Sequence, residues 1–272
     1  MNRKNGFLFY TSADAKRNRW FIRQLCEYAE PEGLSLRLCL AEDGFPAGRI
    51  PEFVINRSRD AAISRYCEEV LSIPVFNSAD VTEITNDKYL THCFLRSHGL
   101  PTADTVSVQE DADAEVLKLP LVAKPADGHG GQGVICLRTD AELSRAVQTM
   151  QRPFLLQRMM QPGRDLRVYV LNGEIYAAVL RTSEQDFRSN YSLGGRAELY
   201  HPDAAVSEMV QRVQAVLPLD FAGVDFLWTP DGQYVIGEIE DAVGCRMLYA
   251  LSGLDPAADL IHMIAEKLAG AR

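Results

Sequence analysis

The sequence has no long hydrophobic run and no excess of basic residues. Its first residues lead only into a short apolar stretch, Gly6–Tyr10, so neither a signal peptide nor a membrane-spanning segment is expected. The chain carries 28 Lys and Arg against 37 Asp and Glu, a formal net charge of -9. Because nucleic-acid-binding proteins usually carry a basic excess, nucleic acid is not an expected partner.

Paired cysteines are also missing. The six cysteines are scattered, and none forms a Cys-x-x-Cys pair, so neither a zinc site nor a disulfide framework is expected. We therefore expect a cytoplasmic protein that needs no membrane, and the sequence leaves a homo-oligomer open. The chain does have 47% hydrophobic residues, enough for buried cores, and its 272 residues suit two or three subdomains.

The spacing of apolar residues divides the chain into an α/β part and an α+β part. Strand and helix signals alternate at the beginning, where Leu34–Leu40 has every second residue apolar, and this predicts a small α/β domain over residues 1–83. Helices then mix with antiparallel hairpins, one of them signalled by Asn172-Gly173. We expect a central α+β subdomain over residues 84–153 and a C-terminal one over residues 154–272.

Three acidic residues, Asp225, Glu238 and Glu240, lie on one predicted β-hairpin. A loop of two or four residues places Asp225 and Glu238 on one face, whereas a three-residue loop separates them; alternation puts Tyr234 and Ile236 on the face of Glu238. Facing carboxylates repel unless a cation lies between them, and hard oxygen ligands suit Mg²⁺ on nucleotide phosphates, as one ion or two. A solvated acidic face is the alternative.

Two lysines are candidates for phosphate binding. Lys124 ends an apolar strand just before a glycine-rich loop that contains Gly130, Gly131 and Gly133, and such a loop can present N–H groups to phosphates. The loop leads into a strand, so it is neither a Walker A loop nor a dinucleotide fingerprint. An ordinary flexible hairpin is the alternative.

Lys88 lies in the first turn of a helix that we expect Thr85 or Asn86 to cap. A lysine at a helix start interacts unfavourably with the helix dipole, and this favours the interpretation that Lys88 binds a ligand. Simple exposure to solvent is the alternative.

Arginines surround the middle hairpin. Arg164 and Arg167 lie on one strand and Arg181 ends the next, and guanidinium groups match carboxylates and phosphates. They are candidates to stabilise a transferring phosphoryl group and to hold an acid substrate. The alternative is pairing with Asp165, Glu184 and Asp186. The following loop, Thr182–Gly195, is long and polar, as expected of a functional lid.

Together these features resemble the ATP-grasp superfamily, and more closely its RimK-like ligases. The resemblance covers most of the chain and rests on motifs that follow one another in the family's order. They are Val54-Ile55-Asn56-Arg57, Phe76-Asn77-Ser78, Asn86-Asp87-Lys88, Val122-Ala123-Lys124-Pro125, Gly163-Arg164-Asp165-Leu166-Arg167, Asp186-Phe187-Arg188-Ser189-Asn190 and Ala222-Gly223-Val224-Asp225.

The resemblance implies an ATP-grasp fold, in which a small α/β domain precedes two α+β subdomains that clasp ATP. It implies three groups of site residues besides the metal ligands Asp225, Glu238 and Glu240. The nucleotide would contact Lys88, Lys124, Gly130, Gly131, Gly133, Gln157 and Asp165. The catalytic residues would be Arg167, Arg181 and Asn190. The substrate would contact Arg188, Gly194 and Gly195. Mg²⁺ would be the metal, as one or two ions, with Mn²⁺ as a substitute.

The implied activity is an ADP-forming carboxylate–amine ligase that makes an amide or peptide bond through an acyl phosphate. Its substrates would be small molecules or peptides, with an amino acid joined to a peptide or small acid. Members of the family usually carry Glu-x-Asn at the metal strand, where this sequence has Glu238-Ile239-Glu240 and a different turn after it, and Arg158 replaces a common glutamate. Two alternatives are a kinase of a non-carboxylate substrate and a non-catalytic nucleotide-binding protein.

Overall fold

The computed structural model describes residues 3–126, 133–184, 186–187 and 195–270, and the strands of these residues form three sheets. The strands are β1 (Lys4–Tyr10), β2 (Leu34–Leu40), β3 (Phe53–Asn56), β4 (Val75–Phe76), β5 (Thr105–Val108), β6 (Leu121–Pro125), β7 (Ile135–Leu137), β8 (Phe154–Arg158), β9 (Arg164–Leu171), β10 (Glu174–Thr182), β11 (Arg196–Leu199), β12 (Phe221–Trp228) and β13 (Tyr234–Glu240). The α-helices are α1 (Ser12–Arg17), α2 (Arg19–Ala29), α3 (Ala61–Arg65), α4 (Ala79–Asn86), α5 (Lys88–Ser97), α6 (Asp140–Thr149), α7 (Ala204–Val216), α8 (Arg246–Leu251) and α9 (Pro256–Gly270).

The first sheet is parallel and has the order β2-β1-β3-β4. Residues Phe7 to Tyr10 of β1 are buried, as expected of a central strand covered on both faces. The apolar face of α2 packs on the sheet through Phe21, Ile22 and Leu25, in a core that also includes α9. The predicted strand Leu34–Leu40 and the parallel pairing are both confirmed.

The second sheet is antiparallel and has the order β5-β8-β6-β7. Strand β8 lies between β5 and β6, so Phe154–Arg158 groups with the residues before it and not with the strands after it. Helix α4 runs through residue 83. The division at residues 83 and 153 therefore stays a prediction, with its two boundaries falling inside α4 and next to a strand of the second sheet.

Helix α5 begins at Lys88, and its cap is Asp87, so the predicted cap at Thr85 or Asn86 is wrong. The carboxylate of Asp87 accepts hydrogen bonds from the backbone N–H groups of Tyr89 and Leu90, both at 2.8 Å. The carboxylate satisfies two amides of the first turn that have no partner within the helix. Thr85 and Asn86 instead belong to α4, which ends there.

The third sheet has the order β11-β10-β9-β12-β13. Its central strand β9 buries Leu166, Val168 and Val170 against α7. The predicted tight hairpin is confirmed: Leu171 pairs with Glu174, and Asn172 and Gly173 have φ of 51° and 81°. These are the positive φ values that a type I′ turn requires. None of the described helices is both long and apolar enough to cross a bilayer.

The pairing of residues in the β12–β13 hairpin cannot be derived from the length of its loop alone. Trp228 pairs with Tyr234, so the loop has five residues, Thr229–Gln233, and not two or four. An odd loop should separate Asp225 from Glu238. The ladder shifts by one residue after Phe226–Ile236, however, and Asp225 then pairs directly with Glu238.

Gly237 is the extra residue of this β-bulge. A Cβ atom here would lie 2.9 Å from Cγ and Cδ1 of Leu227, so the bulge has no room for a side chain. Because of the bulge, Ile236 packs in the same apolar cluster as Ile239. The predicted face that Ile236 shared with Glu238 is therefore wrong, while the pairing of Asp225 with Glu238 is present.

Candidate active site

A cavity of about 550 Å³ lies where the three sheets meet. Nine predicted site residues line it: Lys88, Lys124, Gln157, Asp165, Arg167, Arg181, Asp225, Glu238 and Glu240. Two others, Gly133 and Gly195, do not line it. The remaining predictions, Gly130, Gly131, Arg188, Asn190 and Gly194, lie outside the described residues.

Asp225 is the centre of a buried ion-pair network on the third sheet. Arg167 donates to both of its carboxylate oxygens at 2.7 Å, and Arg181 donates to Oδ2 at 2.9 Å. Burial by itself raises the pKa of Asp225, but attraction to Arg167 and then to Arg181 outweighs it and holds the pKa well below its ordinary value. Asp225 is therefore ionised and fixed by two arginines.

The network continues to the other carboxylates of the site. Arg181 donates to Asp165, so the predicted alternative of pairing is observed for this arginine. Arg167 also contacts Glu240 Oε2 at 2.8 Å. Burial raises the pKa of Glu240, and Arg167 opposes that rise. Glu184 pairs instead with Arg196, at 3.8 Å.

The two lysines line the same cavity, close enough to repel each other, and both interact with Glu238. Lys88 Nζ is 3.2 Å from Glu238 Oε1, and its side chain is only 10% exposed, so the alternative of simple exposure is wrong. Lys124 Nζ donates to Gln157 Oε1 at 3.3 Å. Burial lowers the pKa of Lys124 to about 8, with repulsion by Lys88 adding to the effect and Glu238 opposing it. Such a pair of ammonium groups suits a polyanion.

Gln157 holds the floor of the cavity on the second sheet. Its amide donates to Thr105 Oγ1 at 2.9 Å and its oxygen accepts from Lys124, so its side chain positions this lysine. Nearby, the guanidinium carbon of Arg164 lies 3.7 Å from the ring centroid of Trp228. Arg164 is thus placed by stacking on an indole, and it forms no ion pair with a carboxylate among the described residues.

The predicted metal ligands face the same cavity but are neutralised by cations. Both oxygens of Asp225 accept from arginines, while Glu238 and Glu240 each have side chains 40% exposed. Across the described part of the chain, no group of three or more His, Cys, Asp or Glu side chains is arranged to hold a metal. Oxygen donors of this kind suit a hard divalent cation, and Glu238 and Glu240 are the more accessible pair. The three ligands stay a prediction.

Sequence reasoning missed the N-terminal side of the cavity. Arg57 follows β3 and donates from Nε to the Tyr10 hydroxyl at 2.8 Å and from Nη2 to the Val243 carbonyl at 2.7 Å. It lines the cavity although it is 7% exposed. The available signal was a charged residue at the carboxyl end of a parallel strand, the edge where α/β sheets bind ligands.

The chain has a small parallel sheet followed by two antiparallel sheets with helices, and lysines and arginines line the cavity where the sheets meet. This arrangement defines the ATP-grasp class of enzymes. A family model for the RimK-like ATP-grasp domain matches residues 85–264, and the chain belongs to this family. The predictions of an ATP-grasp fold and of an ATP-dependent, ADP-forming ligase are confirmed. Enzymes of this superfamily use ATP with a divalent metal.

Two curated relatives and one solved structure illustrate the similarity. Human beta-citrylglutamate synthase B is 28% identical over 237 residues, which cover 82% of this chain and 61% of that protein. Tetrahydromethanopterin:alpha-L-glutamate ligase of Methanocaldococcus jannaschii is 28% identical over 208 residues, 71% of each chain. D-alanine–D-alanine ligase of Bacillus anthracis superposes with a TM-score of 0.77 at 16% identity, over 99% of this chain and 98% of that one.

Proposed function

We propose that this enzyme activates a carboxylic acid with ATP and joins it to an amine, so that the product is an amide or peptide. The observation that carries the proposal is the meeting of Lys88 and Lys124 with Arg167 and Arg181 in one cavity. Four cations at one place suit the phosphates of ATP and the carboxylate of an acid at once. The proposed substrates are small molecules or peptides, one of them an amino acid.

In the proposed reaction, an oxygen of the substrate carboxylate attacks the γ-phosphorus of ATP, the bond to the β-phosphate oxygen breaks, and ADP leaves. The amine nitrogen then attacks the acyl carbon, inorganic phosphate leaves, and the nitrogen loses a proton. Lys88 and Lys124 hold the phosphates, and Arg167 and Arg181 offset charge on the moving phosphoryl group. Asn190 remains a predicted catalytic residue.

Glu238 and Glu240 are the proposed ligands of a divalent metal, Mg²⁺ first and Mn²⁺ as a substitute, with Asp225 as a third. The metal would supply neutralisation of the phosphate charge. Oδ2 of Asp225 accepts from both arginines and Oδ1 from Arg167 alone, so Oδ1 is the oxygen with a lone pair left for a metal. Asp165 is the proposed neighbour of the ribose, and Gly133 with the rest of its loop the proposed cover of the phosphates.

The test is a product analysis. The enzyme is incubated with ATP, Mg²⁺, a mixture of small acids and peptides, and a mixture of amino acids; ADP and phosphate are measured, and products are weighed by mass spectrometry. We expect ADP and phosphate in equal amounts only when acid and amine are both present, together with a product that has lost one water. ADP with phosphate retained on a hydroxyl would indicate a kinase. ATP binding without turnover would indicate a non-catalytic protein.

The cytoplasmic location, a homo-oligomeric assembly and the absence of a nucleic-acid partner also stay predictions. The proposed reaction supports the first of these, because ATP is abundant inside the cell. Size-exclusion chromatography with light scattering would measure the assembly.

A further inference from the structure

The charges that line the cavity are divided between its two sides. The acids Asp165, Asp225, Glu238 and Glu240 all come from the third sheet, together with arginines of that sheet, whereas Lys88 belongs to α5 and Lys124 to the second sheet. Another part of the lining comes from α1, α2, the segment after β3 and α8. We call its four arginines, Arg17, Arg57, Arg59 and Arg246, the arginine wall; no acid of the described residues lines the cavity from that side.

Arg57 is the buried member of the arginine wall. Its two hydrogen bonds go to neutral oxygens, the hydroxyl of Tyr10 and the carbonyl of Val243. Among the described residues no carboxylate forms an ion pair with it, and Nη1 has no hydrogen-bond partner. A guanidinium keeps its charge in any protein. Burial opposes this charge, but interactions with Tyr10, Cys245 and the Asp241 carboxylate outweigh burial and raise the pKa of Arg57. Nη1 is thus available to donate to an anion in the cavity that Arg57 lines.

The remaining members surround Arg57 at the mouth of the cavity. Arg59 is paired with Asp14, which Arg17 also approaches at 3.7 Å. Arg246 is exposed, and the contact it makes in the described structure is with the backbone oxygen of Arg17, at 3.4 Å. Arg57 and Arg246 are thus the two positive charges of the wall without a carboxylate partner there.

Two aromatic rings lie beside these charges. Trp20 and Tyr249 line the cavity in edge-to-face contact, with ring centroids 4.7 Å apart, and Trp20 is 47% exposed. Tyr249 is fixed from behind by its hydrogen bond to Asp255, at 2.8 Å. The wall therefore offers apolar area next to positive charge, which suits the carbon chain of an organic anion and not a bare inorganic ion.

We propose that a substrate of this enzyme carries a second carboxylate that does not react, and that Arg57, assisted by Arg246, binds it. The proposal rests on the proposed ligase function. The second carboxylate belongs either to the acid that is activated or to the amine, as the carboxylate of an amino acid. In both cases the reacting group points to the third sheet and the second carboxylate to the arginine wall. Arg57 is then the residue that selects the substrate.

Isothermal titration calorimetry tests the proposal without turnover. The nucleotide side is first filled with a non-hydrolysable ATP analogue and Mg²⁺, so that added acids do not bind at the phosphate site. One arm compares succinate, glutarate and adipate with butyrate; the other compares glycine and alanine with methylamine and ethylamine. We expect tighter binding of the doubly charged acids in the first arm, or of the amino acids in the second. Equal affinities in both arms overturn the proposal.

Three variants connect the binding to Arg57. Arg57→Met should weaken the preferred probe about 10-fold or more, because a charge-assisted hydrogen bond is lost, and Arg57→Lys should keep part of the affinity. Arg23→Gln, on the outer face of α2, is the control and should bind like the wild type. Unchanged affinity in Arg57→Met overturns the proposal.

Arg57→Met also removes the contact to Val243, so folding must be checked by thermal melting. If this variant does not fold, Arg246→Glu serves instead, because Arg246 is exposed and its charge reversal should weaken the preferred probe several-fold by repulsion. Unchanged affinity in folded Arg246→Glu overturns the proposal. Trp20 fluorescence is a second measure of binding at the arginine wall. The preferred probe should change the emission of the wild type and not that of a Trp20→Phe variant. An equal change in both proteins overturns binding at this wall.

The two proposals fail in different ways. If no acid and amine give ADP, while the calorimetry still depends on Arg57, the ligase reaction is wrong and the anion site stands. If acid- and amine-dependent ADP formation is found, while Arg57→Met and Arg246→Glu bind every probe like the wild type, the anion site is wrong and the ligase reaction stands.

Discussion

Replacing Lys124 by methionine tests two opposite effects of its buried charge. The charge lowers the folding stability of the free enzyme, and it attracts the phosphates of ATP. Lys124 is half-buried, and its pKa falls from 10.5 to about 8, mainly because of burial. At about 1.4 kcal/mol for each pH unit, this difference corresponds to about 3 kcal/mol of destabilisation when the amine is charged. Methionine keeps the length and removes the charge. It also removes the hydrogen bond to Gln157, worth about 1 kcal/mol.

The net expectation is that Lys124→Met is about 2 kcal/mol more stable than the wild type at pH 7, measured by urea unfolding without nucleotide. The sign follows from the lowered pKa: below pH of about 8 the folded protein must hold a charged lysine, and the penalty is complete. As pH rises from about 8 to 10.5, the folded lysine is already neutral while the unfolded one loses its proton, so the penalty disappears. The advantage of the variant should shrink over this interval.

The same variant should bind ATP with Mg²⁺ at least about 10-fold more weakly and lose turnover, because the charge that destabilises the free enzyme is the one that attracts phosphate. Lys118→Met is the matched control: Lys118 is exposed, so neither stability nor nucleotide affinity should change measurably. The reasoning is refuted if Lys124→Met is less stable than the wild type at pH 7, if the difference does not change with pH, or if ATP affinity is retained.

Three other variants test the third sheet. Gly237→Val should lower the free energy of unfolding in urea by about 1–3 kcal/mol, because its Cβ would lie 2.9 Å from the Leu227 side chain. Gly253→Ala is the control and should not change it, because no heavy atom lies within 4 Å of the added Cβ. Equal stabilities of the two variants would show that the bulge does not require a glycine. Asp225→Asn should abolish ATP turnover and cost about 3 kcal/mol at pH 7, because two arginines lose their ionised partner. The pKa of Asp225 is lowered in the folded protein, so its contribution to stability is present above the ordinary value of 3.8 and is lost as the pH falls below it. The stabilities of the variant and the wild type should therefore converge in acid. Wild-type turnover or unchanged stability of the variant at pH 7 would contradict the ion-pair network. Glu240→Asn should keep Mg²⁺-dependent ADP formation if the position is a metal ligand, because an amide oxygen still coordinates the ion. Loss of that activity would show that the carboxylate itself is required, for example for its contact with Arg167.

The sequence by itself determined the elements whose signals are local. The alternation over Leu34–Leu40 gave the second strand with its observed ends, and Asn172-Gly173 gave a tight hairpin because both residues accept a positive φ. The ordered motifs also placed Lys88, Lys124 and the three acids of one hairpin at one site. All five line the cavity. The strand and the hairpin are confirmed because periodicity and turn geometry are properties of neighbouring residues, whereas the roles of the five site residues stay predictions.

Only the tertiary structure decided the pairings across the site. The odd loop before Tyr234 should have separated Asp225 from Glu238, and a bulge at Gly237 restored their pairing. Arg167 contacts Asp225, 58 residues away, in a register that depends on how β9 lies beside β12. The position of Arg57 in the same cavity as this network depends on how the first sheet packs on α8 and α9. Packing between distant segments determines such contacts, so the sequence around each residue does not predict them.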